Sequence, residues 1–409
     1  MLFSPLPLLA LAATSTTATK LYISSYAGNI TTLDLTSSNS SDYKLTLLAS
    51  TPGCGLNASW LQLDKKHNTL FCLDENIVGT NGSLSSFKID PSKNTLSRVG
   101  HSDTLIAPVN SAIYSGSNGS QLMAVAHYND AISTWKIDPV TAHFTLSQTF
   151  NFSSAFNPGP DTQQRQLKPH PHQVVLDPTN RYFLVPDLGA DLVRVFYVNP
   201  STLSIQARDP IPVTPGSGPR HGVFKAPTAL EPSMTYFYLV TELANTVAGY
   251  SVNYIANNGG ITLNPIAPSI PTFGPGNEKG KSFVGNAAAE VAIAPDGNSL
   301  LISNRNATFF SVANPDPKNS MRITSDSLAT FAIEGDGKLN FEGLSPAGGT
   351  FPRNFALNKD GSLVAVGLQT SGRVAVYERC ATTGRLGLDM VANFEGLGNV
   401  TSVVWAEGK

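Results

Sequence analysis

Histidine, glutamate and arginine recur in this chain at the ends of otherwise apolar, strand-like segments. His170 and His172 stand in "PHPHQVV", Arg220 and His221 in "GPRHGVF", Glu242 in "TELANTVAGY", Glu290 in "AAEVAIAPDG", Arg305 in "LLISNR", and Arg353 with Asn354 in "FPRNFAL". Imidazole and carboxylate groups move protons, while guanidinium groups grip carboxylates bidentately and stabilise oxyanions. A cleft in which these types converge suits a carboxylated or oxyanionic ligand. Arg220, Glu242, Glu290 and Arg305 are hard to explain as packing, since an inward-pointing charge needs a partner or water.

What gathers them is a repeat. "SWLQLDKKHNTLFCLDE" from Ser59, "NSAIYSGSNGSQLMAVAHY" from Asn110, "PHPHQVVLDPTNRYFLVPDLGADLVRVF" from Pro169, "HGVFKAPTALEPSMTYFYLVTEL" from His221, "EVAIAPDGNSLLISNR" from Glu290 and "NFALNKDGSLVAVGLQ" from Asn354 share one form. Each has an alternating apolar strand, a polar Asp/Gly/Pro turn and a second apolar strand, which reads as a β-hairpin. A third and fourth strand follow each hairpin, so the unit is four antiparallel strands. "TSVVWAEGK" at the C-terminus supplies the first strand of a seventh unit, and "KLYISSYAGNITTLDL" near the N-terminus supplies the rest. The pattern predicts an all-β, seven-bladed propeller whose ring is closed by N- and C-terminal strands sharing one blade.

Alignment of the seven units sets Ser59, Asn110, His172, His221, Glu290, Asn354 and Thr401 at one depth beside the central channel. A second ring, aligned to about one residue, holds Tyr26, Glu75, His127, Asp187, Glu242, Arg305 and Gln369 near the ends of the second strands. Plainer roles compete at several places. Ser59, Asn110 and Thr401 could line the channel and hold structural water. His170, between prolines, could only shape a loop, and Asp187 and Asp191 in "DLGAD" read as turn-fixing residues.

Bulk composition narrows the partners. With 409 residues, 41% hydrophobic and 14% charged, and a formal charge of −2, the chain has no broad basic surface for nucleic acid or anionic membrane. "MLFSPLPLLALAATSTTATK" has an apolar run from Leu2 to Ala13 followed by small residues. That layout predicts a signal peptide over 1–18, a single propeller domain over 19–409, and a secreted protein that is not membrane-bound after cleavage. N-x-S/T sequons at Asn29, Asn39, Asn57, Asn81, Asn118, Asn151, Asn306 and Asn399 agree with secretion. Of the three cysteines, Cys54 and Cys72 flank one hairpin and are the favoured disulfide, against the alternative that all three, Cys380 included, are small buried hydrophobes.

The stretches "PHPHQVVLDPTNRYFLVPDLGADLVRVF", "GPRHGVF", "TELANTVAGY", "AAEVAIAPDGNSLLISNR" and "FPRNFALNKDGSLVAVGLQ" resemble the lactonase family of seven-bladed propellers, which includes 6-phosphogluconolactonases and 3-carboxy-cis,cis-muconate lactonizing enzymes. The resemblance implies a site in the channel mouth, with His172, Arg220, Glu242 and Arg305 as catalytic residues and Arg353 as a further candidate. His221, Glu290, Arg353 and Asn354 are the expected substrate-binding residues. The expected activity is the opening or closing of an intramolecular ester ring in a small lactone or polycarboxylate, with no cofactor and no resident metal. Glu242 or His172 would then manage the proton and the arginines would hold the charge. The departure from Ala-Asn-Gln to Gly367, Leu368 and Gln369 singles out the last blade. Two other readings stand beside this one: a calcium-dependent lactonase using Glu242, Asp187 and Asn304, and a non-catalytic secreted glycoprotein that uses the propeller for binding.

Overall fold

The computed structural model describes residues 17–37, 42–93, 95–116, 119–153, 164–227, 234–276 and 285–407. Local chemistry forms the hairpins as the sequence predicts. In "LDPTNRY", Asp177 accepts hydrogen bonds from the backbone N–H groups of Thr179, Arg181 and Tyr182 at 3.0, 2.9 and 2.7 Å, and Asn180 takes the left-handed conformation (φ 55°) that closes the turn.

Seven antiparallel sheets result, each with four main strands. From the axis outward, blade 1 is Val400–Trp405, Thr17–Ser25, Asn29–Ser37 and Tyr43–Pro52, and blade 2 is Ala58–Asp64, Thr69–Asp74, Gly82–Asp90 and Thr95–Thr104. Blade 3 is Pro108–Ser115, Gln121–His127, Ala131–Ile137 and Phe144–Asn151; blade 4 is Val175–Leu176, Tyr182–Asp187, Leu192–Val198 and Ile205–Pro212. Blade 5 is Pro219–Lys225, Tyr236–Thr241, Thr246–Ile255 and Gly260–Pro265, with Ile270–Pro271 added beside its third strand. Blade 6 is Ala287–Ile293, Ser299–Arg305, Ser327–Ile333 and Leu339–Pro346, carrying a separate hairpin of Phe310–Val312 and Ile323–Ser325. Blade 7 is Pro352–Leu357, Leu363–Leu368, Arg373–Glu378 and Ala392–Phe394.

The ring closes as the split repeat predicts. Leu21 pairs with Trp405, Ile23 with Val403 and Ser24 with Ser402, while Ala406 and Tyr26 donate to Lys20 and Asn399 carbonyls at either end of the ladder. The first of these strands starts at Thr17, and Thr17 and Ala18 pair with Ser37 and Thr36. The last two residues of the expected leader thus extend that strand. The apolar leader run and the sequons at Asn39 and Asn118 lie outside the described residues.

Packing explains why second strands read as unbroken apolar runs. Thr69–Asp74 and Tyr236–Thr241 are buried at every position, whereas the outer strand Tyr43–Pro52 is mostly accessible. Each blade face meets its neighbour: Leu21, Ile23, Leu33 and Trp405 of blade 1 pack on Leu363, Ala365, Val374 and Val376 of blade 7. Burying such side chains contributes about 1.5–3 kcal/mol apiece. Cys54 and Cys72 are joined as a disulfide, and Cys380 is free and exposed.

One irregularity recurs. The inner strand is bulged against the second strand near its start in blades 1, 2, 3, 5, 6 and 7. In blade 5, Pro219 pairs with Thr241 and His221 with Val240, so Arg220 is the extra residue; in blade 7, Arg353 holds that place between Pro352 and Asn354. A bulge sets two residues opposite one and re-aims their side chains. Both Arg220 and His221, and both Arg353 and Asn354, consequently line the axis. The approach to the bulge also repeats: Ala107, Gly218 and Phe351 have positive φ and each precedes a proline. Glycine is needed at 218, where a Cβ would stand 2.5 Å from Leu243 Cγ.

Pairing register corrects the sequence alignment by one residue at four places. By register the inner ring is Trp60, Asn110, His172, His221, Glu290, Asn354 and Ser402, so Trp60 replaces Ser59 and Ser402 replaces Thr401. The second ring contains Tyr128 and Leu188 in place of His127 and Asp187. His127 is a core residue, hydrogen-bonded to Ser133 Oγ at 2.8 Å and driven by burial to a pKa of about 4.

Candidate functional site

At one end of the channel, second strands deliver Glu242 and Arg305 and the bulges deliver Arg220 and Arg353. Glu242 is completely enclosed. Arg220 Nε lies 2.8 Å and Arg305 Nη2 2.7 Å from its Oε2, and Arg165 Nη1 bonds its Oε1. Burial alone would raise the Glu242 pKa, but Arg305, Arg165 and Arg220 outweigh it and hold the carboxyl down to about 2. Arg305 is fixed further by the Ala287 carbonyl, 3.1 Å from its Nε, and by the face of Phe351.

A second ion pair faces the first across the mouth. Arg353 donates to Tyr26 Oη and Glu75 Oε1, both at 2.6 Å, and Tyr26 donates to Glu75 at 3.0 Å. Four guanidinium groups (Arg165, Arg220, Arg305, Arg353) thus meet two carboxylates (Glu242, Glu75), leaving an excess of positive charge. Arg220 Nη1 is buried without a hydrogen-bond partner, and its Nε contact with Glu242 is an ion pair without hydrogen-bond alignment. An anionic ligand would satisfy that donor.

Deeper by one residue, His172 and His221 face each other, Nδ1 to Nε2, at 3.2 Å. His221 Nδ1 lies 3.0 Å from Glu290 Oε1, and Asn354 Nδ2 donates to Glu290 Oε2 at 2.6 Å. Burial lowers the pKa of both imidazoles, and nearby Arg220 lowers them further, so both rings are neutral near pH 7. Of the eight sequence-derived candidates, the mouth holds Glu242, Arg220, Arg305 and Arg353, while His172, His221, Glu290 and Asn354 form one hydrogen-bonded layer beneath.

The plainer readings also find their places. Asn110 Oδ1 accepts from the Val174 N–H at 2.9 Å, Ser59 Oγ donates to the Pro108 carbonyl at 2.7 Å, and Thr401 Oγ1 donates to the Ala58 carbonyl at 2.5 Å; these side chains stitch one blade to the next. Asp187 accepts from the His170 and Ala190 N–H groups and Asp191 from Gly216 and Gly218, so both shape turns. The proposed calcium ligands do not form a cation site. Three guanidiniums surround Glu242 and Asp187 pairs with Arg194 at 2.8 Å, so both carboxylates are already matched by cationic side chains. Among the described residues no cluster of three or more His, Cys, Asp or Glu could hold a metal ion.

Sequence reasoning missed Arg165 and Tyr128. Arg165 reaches Glu242 from the connection before blade 4, and its Nε and Nη2 also donate to Tyr128 Oη at 3.2 and 3.0 Å. Tyr128 stacks on His170 at 4.1 Å and presents its ring edge-on to His172 at 5.7 Å. A one-residue shift of the alignment would have found Tyr128. Arg165 belongs to no repeat.

Residues 20–405 match the family described as "Lactonase, 7-bladed beta-propeller". The chain belongs to that family. Similar proteins include a 6-phosphogluconolactonase of Formosa agariphila, 27% identical over 81% of this chain and 84% of that protein, and a probable 6-phosphogluconolactonase of Arthroderma benhamiae, 27% identical over 80% and 75%. A periplasmic gluconolactonase of Pseudomonas aeruginosa has the same fold, with a TM-score of 0.75 and 23% identity over 95% of this chain and 99% of that one. Within this lactonase-family chain, the inner strands continue past the histidine layer to a cavity of about 480 Å³ bordered by Trp60, Gln173, Glu290, Phe355 and Trp405.

Proposed function

We propose that the protein hydrolyses a lactone bearing an anionic substituent at the arginine-lined mouth of the channel. The observation that carries this reading is a buried glutamate gripped by three arginines, two of which, Arg220 and Arg305, also act on the neutral His172. Glu242, held as a carboxylate at a pKa of about 2, is too weak a base to take a proton from water. Its part is to lock Arg220, Arg305 and Arg165 in place. His172 is the base. Its Nε2 takes a proton from water while the hydroxide forms a bond to the lactone carbonyl carbon, and the arginines stabilise the resulting oxyanion. As the tetrahedral species collapses, the ring C–O bond breaks and His172 returns the proton to the leaving oxygen, giving a hydroxy acid. Arg220 Nη1 takes the substrate's anionic group, alongside Arg353.

Ring opening is favoured over ring closure because the relatives above are named as lactonases, and their names put sugar lactones first among substrates. Secretion is part of the proposal, with the leader removed ahead of Thr17 so that the Thr17–Ser25 strand of blade 1 stays whole. The test is proton release at constant pH from a panel of sugar lactones, phosphorylated sugar lactones and carboxymuconolactone, corrected for spontaneous hydrolysis. Wild-type protein should open at least one anionic lactone, and His172→Gln should lower that rate by about 10²–10⁴-fold. Binding without turnover across the panel would replace the enzyme with a binding scaffold.

A further inference from the structure

The layer beneath the mouth is a chain of donors and acceptors whose direction is fully determined. Glu290, kept ionised by His221, Arg220 and Asn354 against the effect of burial, can only accept. Its Oε1 therefore requires a proton on His221 Nδ1, 3.0 Å away. Neutral His221 then carries a lone pair on Nε2, and that atom accepts from His172 Nδ1 at 3.2 Å. Neutral His172 is left with its lone pair on Nε2. The other end is anchored equally well: Asn354 donates to Glu290 Oε2 at 2.6 Å while its Oδ1 accepts from the Val403 N–H at 2.8 Å, which fixes the orientation of the amide. Ring planes are held by edge contacts, Trp60 against His221 at 6.2 Å and Tyr128 against His172 at 5.7 Å.

We propose that Glu290 and His221 are positioning residues that hold His172 in its Nδ1–H tautomer and so reserve Nε2 for the proton taken from water. The proposal rests on the hydrolytic reading above. It assigns Glu290, His221 and Asn354 to orienting the base, in place of the substrate contacts expected from sequence. When His172 takes a proton, its Nδ1–H still points at His221, and the positive charge is shared toward Glu290. Arg220, Arg305 and Arg353 carry like charge that disfavours protonated His172, Arg220 does the same at His221 while Glu242 favours the charged ring there, and Glu290 is the acidic group in hydrogen-bond contact with the pair.

Glu290→Gln should release the chain. The glutamine offers one acceptor where Asn354, His221 and the Val291 N–H, 3.1 Å from Oε1, all donate, so no orientation of the amide satisfies the whole layer. The anion that demands a proton on His221 Nδ1 is gone, and the His172 tautomer is no longer held. The expected result is a fall in kcat of about 10²–10⁴-fold, as for loss of a general base, with KM little changed. The acid limb of the pH–rate profile should move to lower pH, because the carboxylate that favours protonated imidazole is gone. A purely structural Glu290 would move neither that limb nor the kcat-to-KM split. Nitrogen-15 NMR of histidine-labelled wild-type protein reads the tautomers directly and needs no variant to fold: His172 and His221 should both be Nδ1–H. His172 found as Nε2–H overturns the proposal. So does a Glu290→Gln variant with wild-type kcat and pH profile when His172→Gln is inactive, whereas an active His172→Gln variant overturns the hydrolytic reading itself.

Discussion

Glu242→Gln tests how the mouth is held together. The carboxylate meets Arg220, Arg305 and Arg165, and its side chain is about 1% exposed. Glutamine has nearly the same shape but carries no charge, and its amide nitrogen must face a guanidinium. The pKa of Glu242 is lowered from 4.5 to about 2, and at about 1.4 kcal/mol per unit this corresponds to about 3 kcal/mol of stability. Because the folded pKa is the lower one, that contribution is fully present above pH 4.5 and is lost as pH falls toward 2. An unfolding entropy of about 2.1 cal/mol/K per residue gives about 0.9 kcal/mol/K for 409 residues, so the melting temperature should fall by roughly 3–4 °C at pH 7. The gap between wild type and variant should narrow in melts recorded at progressively lower pH below 4.5. Lactone turnover should fall as well, because two buried arginines lose their shared anchor. A variant that melts with the wild type at pH 7 would refute the ion-pair account, and one that also turns over normally would remove Glu242 from the site.

Arg220→Lys keeps the charge but loses the planar fork, so KM for an anionic lactone should rise while the fold persists; steady-state kinetics beside circular dichroism checks both. Deleting residues from Val400 onward removes the inner strand of blade 1 and unpairs its ladder with Thr17–Ser25, at about 1 kcal/mol per hydrogen bond lost; thermal melting should show a drop of many degrees. Replacing Cys54 and Cys72 together by alanine opens a loop of 18 residues and should cost about 3 kcal/mol in denaturant unfolding. Protein from the native host should have lost its leader ahead of Thr17 and carry glycan at exposed sequons such as Asn81 or Asn151, which intact mass resolves; an unprocessed, unmodified Met1 form would refute secretion.

The repeat was legible because blade hairpins obey period-two alternation and end in Asp/Gly/Pro turns, and the split unit followed from counting strands. Site residues were legible where a motif carried them, as with "GPRH" and "FPRN". What alternation hides is an inserted residue. Ser59 and Thr401 look like ring members because a bulge adds one position, and only the pairing of Trp60 with Leu73 and of Ser402 with Ser24 reveals the shift. Arg165 was invisible for another reason: it approaches Glu242 from a connection whose sequence has no period. The roles of His221 and Glu290 depended on which atom faces which, and spacing carries no such information.

The recurrent bulge gives each bulged blade a two-residue word addressed to the axis: Arg-His from blade 5, Arg-Asn from blade 7, Ser-Trp from blade 2, Val-Asn from blade 3. The words are spelled at the start of the inner strand, and some of their letters also bind the next blade, as Ser59 does at Pro108 and Asn110 at Val174. Chemistry at the axis and cohesion of the ring are therefore written partly in the same residues. Exchanging a pair alters a joint of the ring as well as a wall of the channel, so a library confined to these dipeptides would have to be sorted for folding before it is sorted for new ligands.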